Sequence, residues 1–267
     1  MGLAGRLLRT RAFRGPINMG VDEALATLCR DRAVLRFYAW EAPTLSIGYF
    51  QRTNEIDLEA CYTSAVSLVR RPTGGRAVLH HQDLTYTLVL PLRPPWTELS
   101  IADSYRRINS CLKRGLETLG LAASIGIPPG YAGHSRLVPS SFCFSAIARH
   151  EVLVAGKKVI GSAQRRFPAA LLQQGSILLD FDPAAILALL GVGGRAATES
   201  SLQIIGSLRE ALGWLPDRAY VEAAISDGFA REMGIDFMEG SLEPEELTLS
   251  NQLAANRYAA ETWTFSR

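Results

Sequence analysis

Arg70-Arg71-Pro72-Thr73-Gly74-Gly75-Arg76-Ala77-Val78-Leu79-His80-His81 sets three arginines, a pair of adjacent glycines and two histidines into a single short stretch. Glycines let a backbone come close to another group, and arginines hold anionic or strongly polar groups in a rigid fork. The stretch is flanked by strand-like runs. Before it, AVSLVRR (65–71) is rich in β-branched residues; after it, DLTYTLVLPL (83–92) alternates Leu84, Tyr86, Leu88 and Leu90 with Thr85, Thr87 and Val89, a strand with one face well buried. Pro72, Gly74 and Gly75 stop regular pairing, so the stretch reads as a loop joining two core strands.

Further out, hydrophobic periodicity alternates between helical and extended. Asn18 is placed to cap a helix carrying Val21, Leu25 and Leu28, with Cys29 continuing its buried stripe. AVLRFYAW (33–40) and TLSIGYF (44–50) flank Glu41-Ala42-Pro43 and predict a hairpin. Tyr105, Ile108, Leu112, Leu116 and Leu119 predict a helix over 103–120 that stops at Gly120. Glu151–Val154 and Lys158–Gln164 predict a hairpin about Ala155-Gly156, and ALLQQGSILLDFD (170–182) predicts another strand. The C-terminal third reads as helices starting at Asp182-Pro183, Asp217 and Pro244. The whole is an α+β chain, with a basic N-terminal segment over 1–17 and a single domain over 18–267.

Composition narrows the function classes. With 267 residues, 48% of them hydrophobic, the chain is long enough for a full core, and its net charge of +2 is too mild for a nucleic-acid binder. No apolar run approaches a membrane span and no export signal opens the chain, which points to a cytoplasmic protein. The opening segment has the arginines of a transit peptide, at 6, 9, 11 and 14, yet runs directly into a helical pattern. The four cysteines, at 29, 61, 111 and 143, show no metal-ligand spacing, so free thiols and no metal are expected.

Thiol reactivity requires a polar, electropositive and partly open setting. Cys29, Cys61 and Cys111 fall on or beside apolar faces. Cys143 instead lies in PSSFCFSAIARHEV, an irregular segment close in sequence to Arg149, Lys157 and Lys158. It reads either as a buried loop cysteine or as a reactive one. Lys158 is either a solvated strand lysine or a cation folded back against that thiol, where it favours the thiolate.

NMGVDEAL, PTLSIGYFQR, RRPTGGRAVLHHQDLTYTLVLP, CF and GKKVIGSAQRR followed by LLQQGSILLD occur in this order over residues 18–210, and this pattern resembles the biotin/lipoate protein ligase superfamily. The likeness is greatest to its cysteine-dependent octanoyltransferases. That resemblance implies a ligase-like catalytic domain, its mixed or antiparallel sheet packed with helices. It also implies a two-step transfer in which octanoyl passes from acyl carrier protein to an enzyme cysteine and then to a lysine of a lipoyl domain such as glycine cleavage protein H. Cys143 matches the acyl-thioester cysteine, and Lys158 the lysine credited with lowering its pKa.

The resemblance further implies that Arg71, Thr73, Gly74, Gly75, Arg76 and His80, with Gly161, Ser162 and Ala163, form the substrate pocket. The glycine loop would aim N–H groups at an oxyanion. Arg71 holds a polar headgroup or braces the site, Arg70 is structural, and no cofactor is required. His81 departs from relatives that carry an acid there. Arg149, Lys157, Arg165 and Arg166 form a basic rim suited to acidic carrier proteins. The competing readings are an ATP-dependent lipoate ligase, an enzyme moving acyl groups between lipoyl domains, and a non-catalytic carrier-protein binding module. Arg76, where ligases usually carry a third glycine, and a length without an added C-terminal domain favour the transferase.

Overall fold

A computed structural model describes residues 3–129, 149–190 and 202–267 of the chain. Among these residues the strands form two sheets. The larger has eight, in the order β11 (Ile235–Gly240), β1 (Leu3–Arg9), β2 (Ala33–Tyr38), β6 (Asp83–Pro91), β10 (Ala170–Leu178), β9 (Lys157–Arg166), β8 (Glu151–Val154) and β7 (Ala123–Gly126). The smaller has β4 (Ser67–Arg70), β3 (Thr44–Ile47) and β5 (Val78–His80). Pairing is mixed, since β1 lies parallel to β2 and β11 whereas β6, β8, β9 and β10 pair antiparallel.

Helices cover both faces of the large sheet. On one face α3 (Ile101–Thr118) and α6 (Arg218–Met233) meet Phe37, Leu84, Leu88 and Leu171 through Ile108, Leu112, Ile225 and Phe229. On the other, α1 (Gly15–Thr27) sets Val21 and Leu25 against Leu8, Val34, Val89 and Leu172. Strand β6 is therefore buried on both faces, not on the one its alternation predicts. On the second face the Thr85 hydroxyl donates to Asp83 Oδ2 at 2.8 Å, and Thr87 is fully buried beside it. The small sheet packs with α2 (Leu58–Thr63) and α4 (Pro183–Ala188), burying Leu45, Ile47, Val78, Ile186 and Leu189.

Several expectations change. Segments 33–40 and 44–50 do not form a hairpin, because β2 and β3 belong to different sheets and the Glu41-Ala42-Pro43 turn carries the chain between them. The loop at 71–77 joins β4 to β5 within the small sheet, and β6 begins only after a second turn. Helix α1 begins at Gly15 with Pro16 in its first turn, so Asn18 lies inside it. Its amide donates to the Phe13 and Ala39 carbonyls instead of capping. Cys29 falls beyond the helix end, half-buried.

The segment read as basic and separate contains β1, and a strand also interrupts the helical C-terminal third at β11. Arginines concealed β1. Arg6 is buried, donating to Glu246 Oε1 at 2.6 Å and Oε2 at 2.9 Å, and Arg9 pairs with Glu222 and Glu239. The hairpin at 151–166 forms as predicted, with positive φ at Ala155 (48°) and Gly156 (77°), the backbone a tight two-residue turn requires. Gly120, at φ 81°, ends α3, which starts two residues early because Ser100 accepts from the Asp103 N–H.

Candidate active site

Arg70 and Arg71 leave β4 in opposite roles. Arg70 is fully buried and its guanidinium donates to the carbonyls of Gly48, Gln51 and Thr264 at 2.8, 2.7 and 2.8 Å. It is structural, as expected. Arg71 donates to the Ser46 carbonyl at 2.9 Å and to the Gly74 and Arg76 carbonyls at 2.7 Å each, so it braces the loop across its mouth. Gly75 takes φ 86°, and its carbonyl approaches Gly48 so closely that a Cβ there would lie 1.9 Å from it. The two glycines thus serve a close backbone crossing. Arg76 is turned to Glu55 at 3.1 Å.

A narrow slot with an accessible volume of about 20 Å³ lies between the loop, the small sheet and the large sheet, far smaller than an open ligand site. Of the expected residues, Arg71, His80, Gly161, Ser162 and Ala163 line it, while Thr73, Gly74, Gly75 and Arg76 form the adjoining loop. Thr73 reaches its floor, donating to Gln174 Oε1 at 2.7 Å. Gln174 Nε2 in turn donates to Asp22 Oδ2 at 2.6 Å, which also accepts from the Tyr38 hydroxyl at 2.9 Å.

His80 has a defined orientation. Its Nδ1 lies 2.8 Å from Asp83 Oδ2, its Nε2 lies 2.8 Å from Ser46 Oγ, and its ring stacks on Trp40 with centroids 4.2 Å apart. Asp83 Oδ2 also accepts from Thr85 and Ser176 at 2.8 Å each. Burial alone pushes a carboxyl pKa up, but the attraction of His80 and these hydrogen bonds outweigh it and hold Asp83 below its ordinary value. His80 is therefore both a pocket residue and a fully bonded one.

Of the two readings of Lys158, the solvated strand lysine does not hold. It is buried on β9 with its ammonium 3.0 Å from Glu151 Oε1, and it does not line the slot. Cys143 lies outside the described residues. The other three cysteines sit as core or near-core groups, burial raising Cys29 and Cys61 to about 11 and Cys111 to about 12. The basic rim is partly committed within the chain. Lys157 pairs with Glu210 at 2.5 Å, Arg165 donates to the Pro72 carbonyl at 3.2 Å over the Phe167 ring, and Arg166 reaches the Leu99 carbonyl. Arg149 is exposed.

Ser46, Trp40, Asp83, Gln174 and Ser176 escaped the sequence reading. The spacing of Asp83 three residues after His80 was the one available signal. Of the others, Ser46 arrives from β3, Gln174 and Ser176 from β10, and Trp40 from the segment after β2.

The lipoyl protein ligase A/B catalytic-domain model matches residues 15–230. The chain belongs to that family. Within it, the octanoyltransferase LipM of Kyrpidia tusciae is 40% identical over 98% of both chains, and that of Bacillus subtilis is 35% identical over 94% of both. Among solved structures, a lipoate-protein ligase A bound with ATP superposes with a TM-score of 0.81 at 25% identity, 99% of each chain being covered. A bi-partite lipoate protein ligase of Thermoplasma acidophilum gives 0.81 at 26% identity, covering 98% of this chain and 96% of its own. The α+β ligase-like fold expected from the sequence is the fold observed. Since a family ligase has the same extent, chain length does not separate transferase from ligase. Among the described residues, no helix is long and apolar enough to cross a membrane.

Proposed function

We propose that this family member is an octanoyltransferase of lipoate biosynthesis, taking octanoyl from an acyl carrier protein thioester onto Cys143 and passing it to a lysine of a lipoyl domain such as glycine cleavage protein H. The observation that carries this reading is the 40% identity to an octanoyltransferase LipM across 98% of both chains.

The chemistry fits the residues. Thioester exchange needs a sulfur nucleophile, and the three described cysteines are held protonated by burial, which leaves Cys143 as the candidate. The slot has a mainly apolar lining that includes Met19 and Val78, and it would have to widen to take an acyl chain. The loop at Gly74-Gly75, held by Arg71, presents backbone beside it for the developing oxyanion. Lys158, a buried cation paired with Glu151, is the residue proposed to favour the Cys143 thiolate. Neither step requires a cofactor, and a cytoplasmic setting suits both carrier proteins.

The second reading is an ATP-dependent lipoate ligase, favoured by the superposition on the ATP-bound ligase. Incubation with octanoyl-loaded carrier protein in the absence of ATP separates the two. The transferase gains one octanoyl group on Cys143, read by intact mass and peptide mapping, and releases it on adding a lipoyl domain. Transfer that needs free acid and ATP would establish the ligase instead.

A further inference from the structure

Resting on the transferase reading above, we infer that the corner formed by Tyr49, Phe50, Arg52, Phe265 and Arg267 is the docking surface for the acyl donor, an acidic carrier protein whose thioester arm passes Arg165 to reach the slot.

Exposure singles out this corner. Phe50 is 72% exposed and Phe265 45% exposed, and large apolar groups gathered in water with a polar rim mark interaction sites. The group is held in place. Phe50 packs edge-on against Tyr49 with ring centroids 4.8 Å apart, and the Arg267 guanidinium lies 4.4 Å from the Tyr49 ring and 5.0 Å from that of Phe50. The Arg267 carbonyl accepts from the Thr53 N–H at 3.1 Å and from its hydroxyl at 2.9 Å. Aromatic rings and arginines in fixed geometry are the residue types that carry the energy of protein–protein contacts.

Charge identifies the partner. Arg52 and Arg267 are exposed, and among the described residues no acidic side chain pairs with Arg52, Arg165 or Arg267. The acids that follow Arg52 in sequence are engaged elsewhere: Glu55 accepts from Arg76 and Gln51, and Asp57 from the Ala60 N–H. Beneath the corner Arg70 has its pKa lowered, first by burial and then by Arg267 and Arg71, as unbalanced positive charge requires. Such a surface attracts an acidic domain and speeds its encounter. It favours the donor over the acceptor. The acceptor brings a lysine ammonium, which this charge repels, whereas the donor brings a neutral thioester on a phosphodiester arm, the anion that arginines hold best.

The corner adjoins the slot. Tyr49 N–H donates to the Thr73 carbonyl at 2.9 Å and Arg165 to the Pro72 carbonyl at 3.2 Å, which joins it to the glycine loop. Arg165 lies 5.3 Å from the Tyr49 ring. On β9 it stands two residues beyond Ala163, which lines the slot, and so on the same strand face roughly 7 Å along. Of the rim read from the sequence, Lys157 is held by Glu210 and Arg166 by the Leu99 carbonyl, which leaves Arg165 as the member shared with this surface.

The test compares wild type with Phe50→Ala, Arg267→Glu and Arg267→Lys, after thermal melts establish folding. Formation of the octanoyl adduct is followed by intact mass from octanoyl-loaded acyl carrier protein and, separately, from octanoyl-N-acetylcysteamine, a small uncharged thioester; discharge of the adduct is followed with a lipoyl domain. With the carrier protein, kcat/KM should fall about tenfold or more in Phe50→Ala and Arg267→Glu, stay near wild type in Arg267→Lys, and show a charge-reversal loss that shrinks as salt rises. The small thioester and the lipoyl domain should react as with wild type. An equal loss with the small thioester overturns the docking role, as does a loss confined to the lipoyl domain, which gives this face to the acceptor. Dissociation of a wild-type dimer by Phe50→Ala with unaltered donor kinetics also overturns it, giving the face to a second copy. Absence of an adduct from either donor in wild type removes the transferase reading and the surface with it, whereas a normal wild-type adduct with insensitive variants removes the surface alone.

Discussion

Asp22 and Arg36 form an ion pair at 2.6 Å with both side chains fully buried, joining α1 to β2 directly beneath the slot. Arg36 also donates to Asn18 Oδ1 at 2.7 Å and lies over the Tyr38 ring at 4.0 Å, and Asp22 accepts from Tyr38 and Gln174. Removing one partner strands the other charge in the core. Asp22→Ala should therefore destabilise the fold by about 3–5 kcal/mol, measured by urea unfolding. The double variant Asp22→Leu/Arg36→Met should cost much less than Arg36→Ala added to Asp22→Ala, and simple additivity would refute the pairing argument.

Cysteine labelling should be selective. With Cys29 and Cys61 near 11 and Cys111 near 12, their thiolates are scarce at neutral pH. Limiting iodoacetamide at pH 7 should modify Cys143 first, by peptide mapping, and Cys143→Ser should abolish both this labelling and the octanoyl adduct while leaving the melting curve in place. Equal labelling of Cys29 and Cys143 would contradict the assignment.

The glycine loop offers a geometric contrast. An added Cβ at Gly48 would meet the Gly75 carbonyl at 1.9 Å, whereas one at Gly74 meets nothing within 4 Å. Gly48→Ala should lower stability by more than 1 kcal/mol and disturb acyl transfer, while Gly74→Ala should melt within a degree or two of wild type. Comparable melting temperatures for the two variants would show that the crossing relaxes at little cost.

Acid stability should report Asp83. Its carboxyl is held below its ordinary value, so the native state keeps it ionised at a pH where the unfolded chain has protonated it. Its stabilising contribution is complete above the unfolded value of about 3.9 and declines as pH falls through the lower folded value. Stability curves of wild type and Asp83→Asn should converge on acidification below about pH 4. Parallel curves there would mean that Asp83 is no more acidic folded than unfolded.

Legibility of the sequence differed between parts of the molecule for physical reasons. β6, β10, α3 and the 151–166 hairpin were readable because each carries its own periodicity, cap or turn residues, as with Ser100, Gly120 and Ala155-Gly156. β1 was hidden because Arg6 and Arg9 find carboxylates more than two hundred residues away, at Glu246, Glu222 and Glu239, so charges that look exposed are neutralised by tertiary partners. The β2–β3 junction failed because a turn motif reports that the chain bends, not that the flanking strands pair. At the site, the loop residues were legible through their density in one stretch. Ser46 and Ser176 reach His80 and Asp83 from other strands, and nothing local in their own segments distinguishes them.

Arg70 gathers carbonyls from residues 48, 51 and 264, which ties the loop to the far end of the chain. The Trp263 indole returns the contact by donating to the Arg70 carbonyl at 2.9 Å. These contacts span 193 and 194 positions in sequence, among the most expensive loop closures available to the molecule. The last described helix, α8 (Glu261–Thr264), therefore completes the hydrogen bonding of Arg70 at the base of the loop. Losing residues 263 and 264 would strand the Arg70 guanidinium, so the shape of the loop depends on residues almost two hundred positions away in the chain.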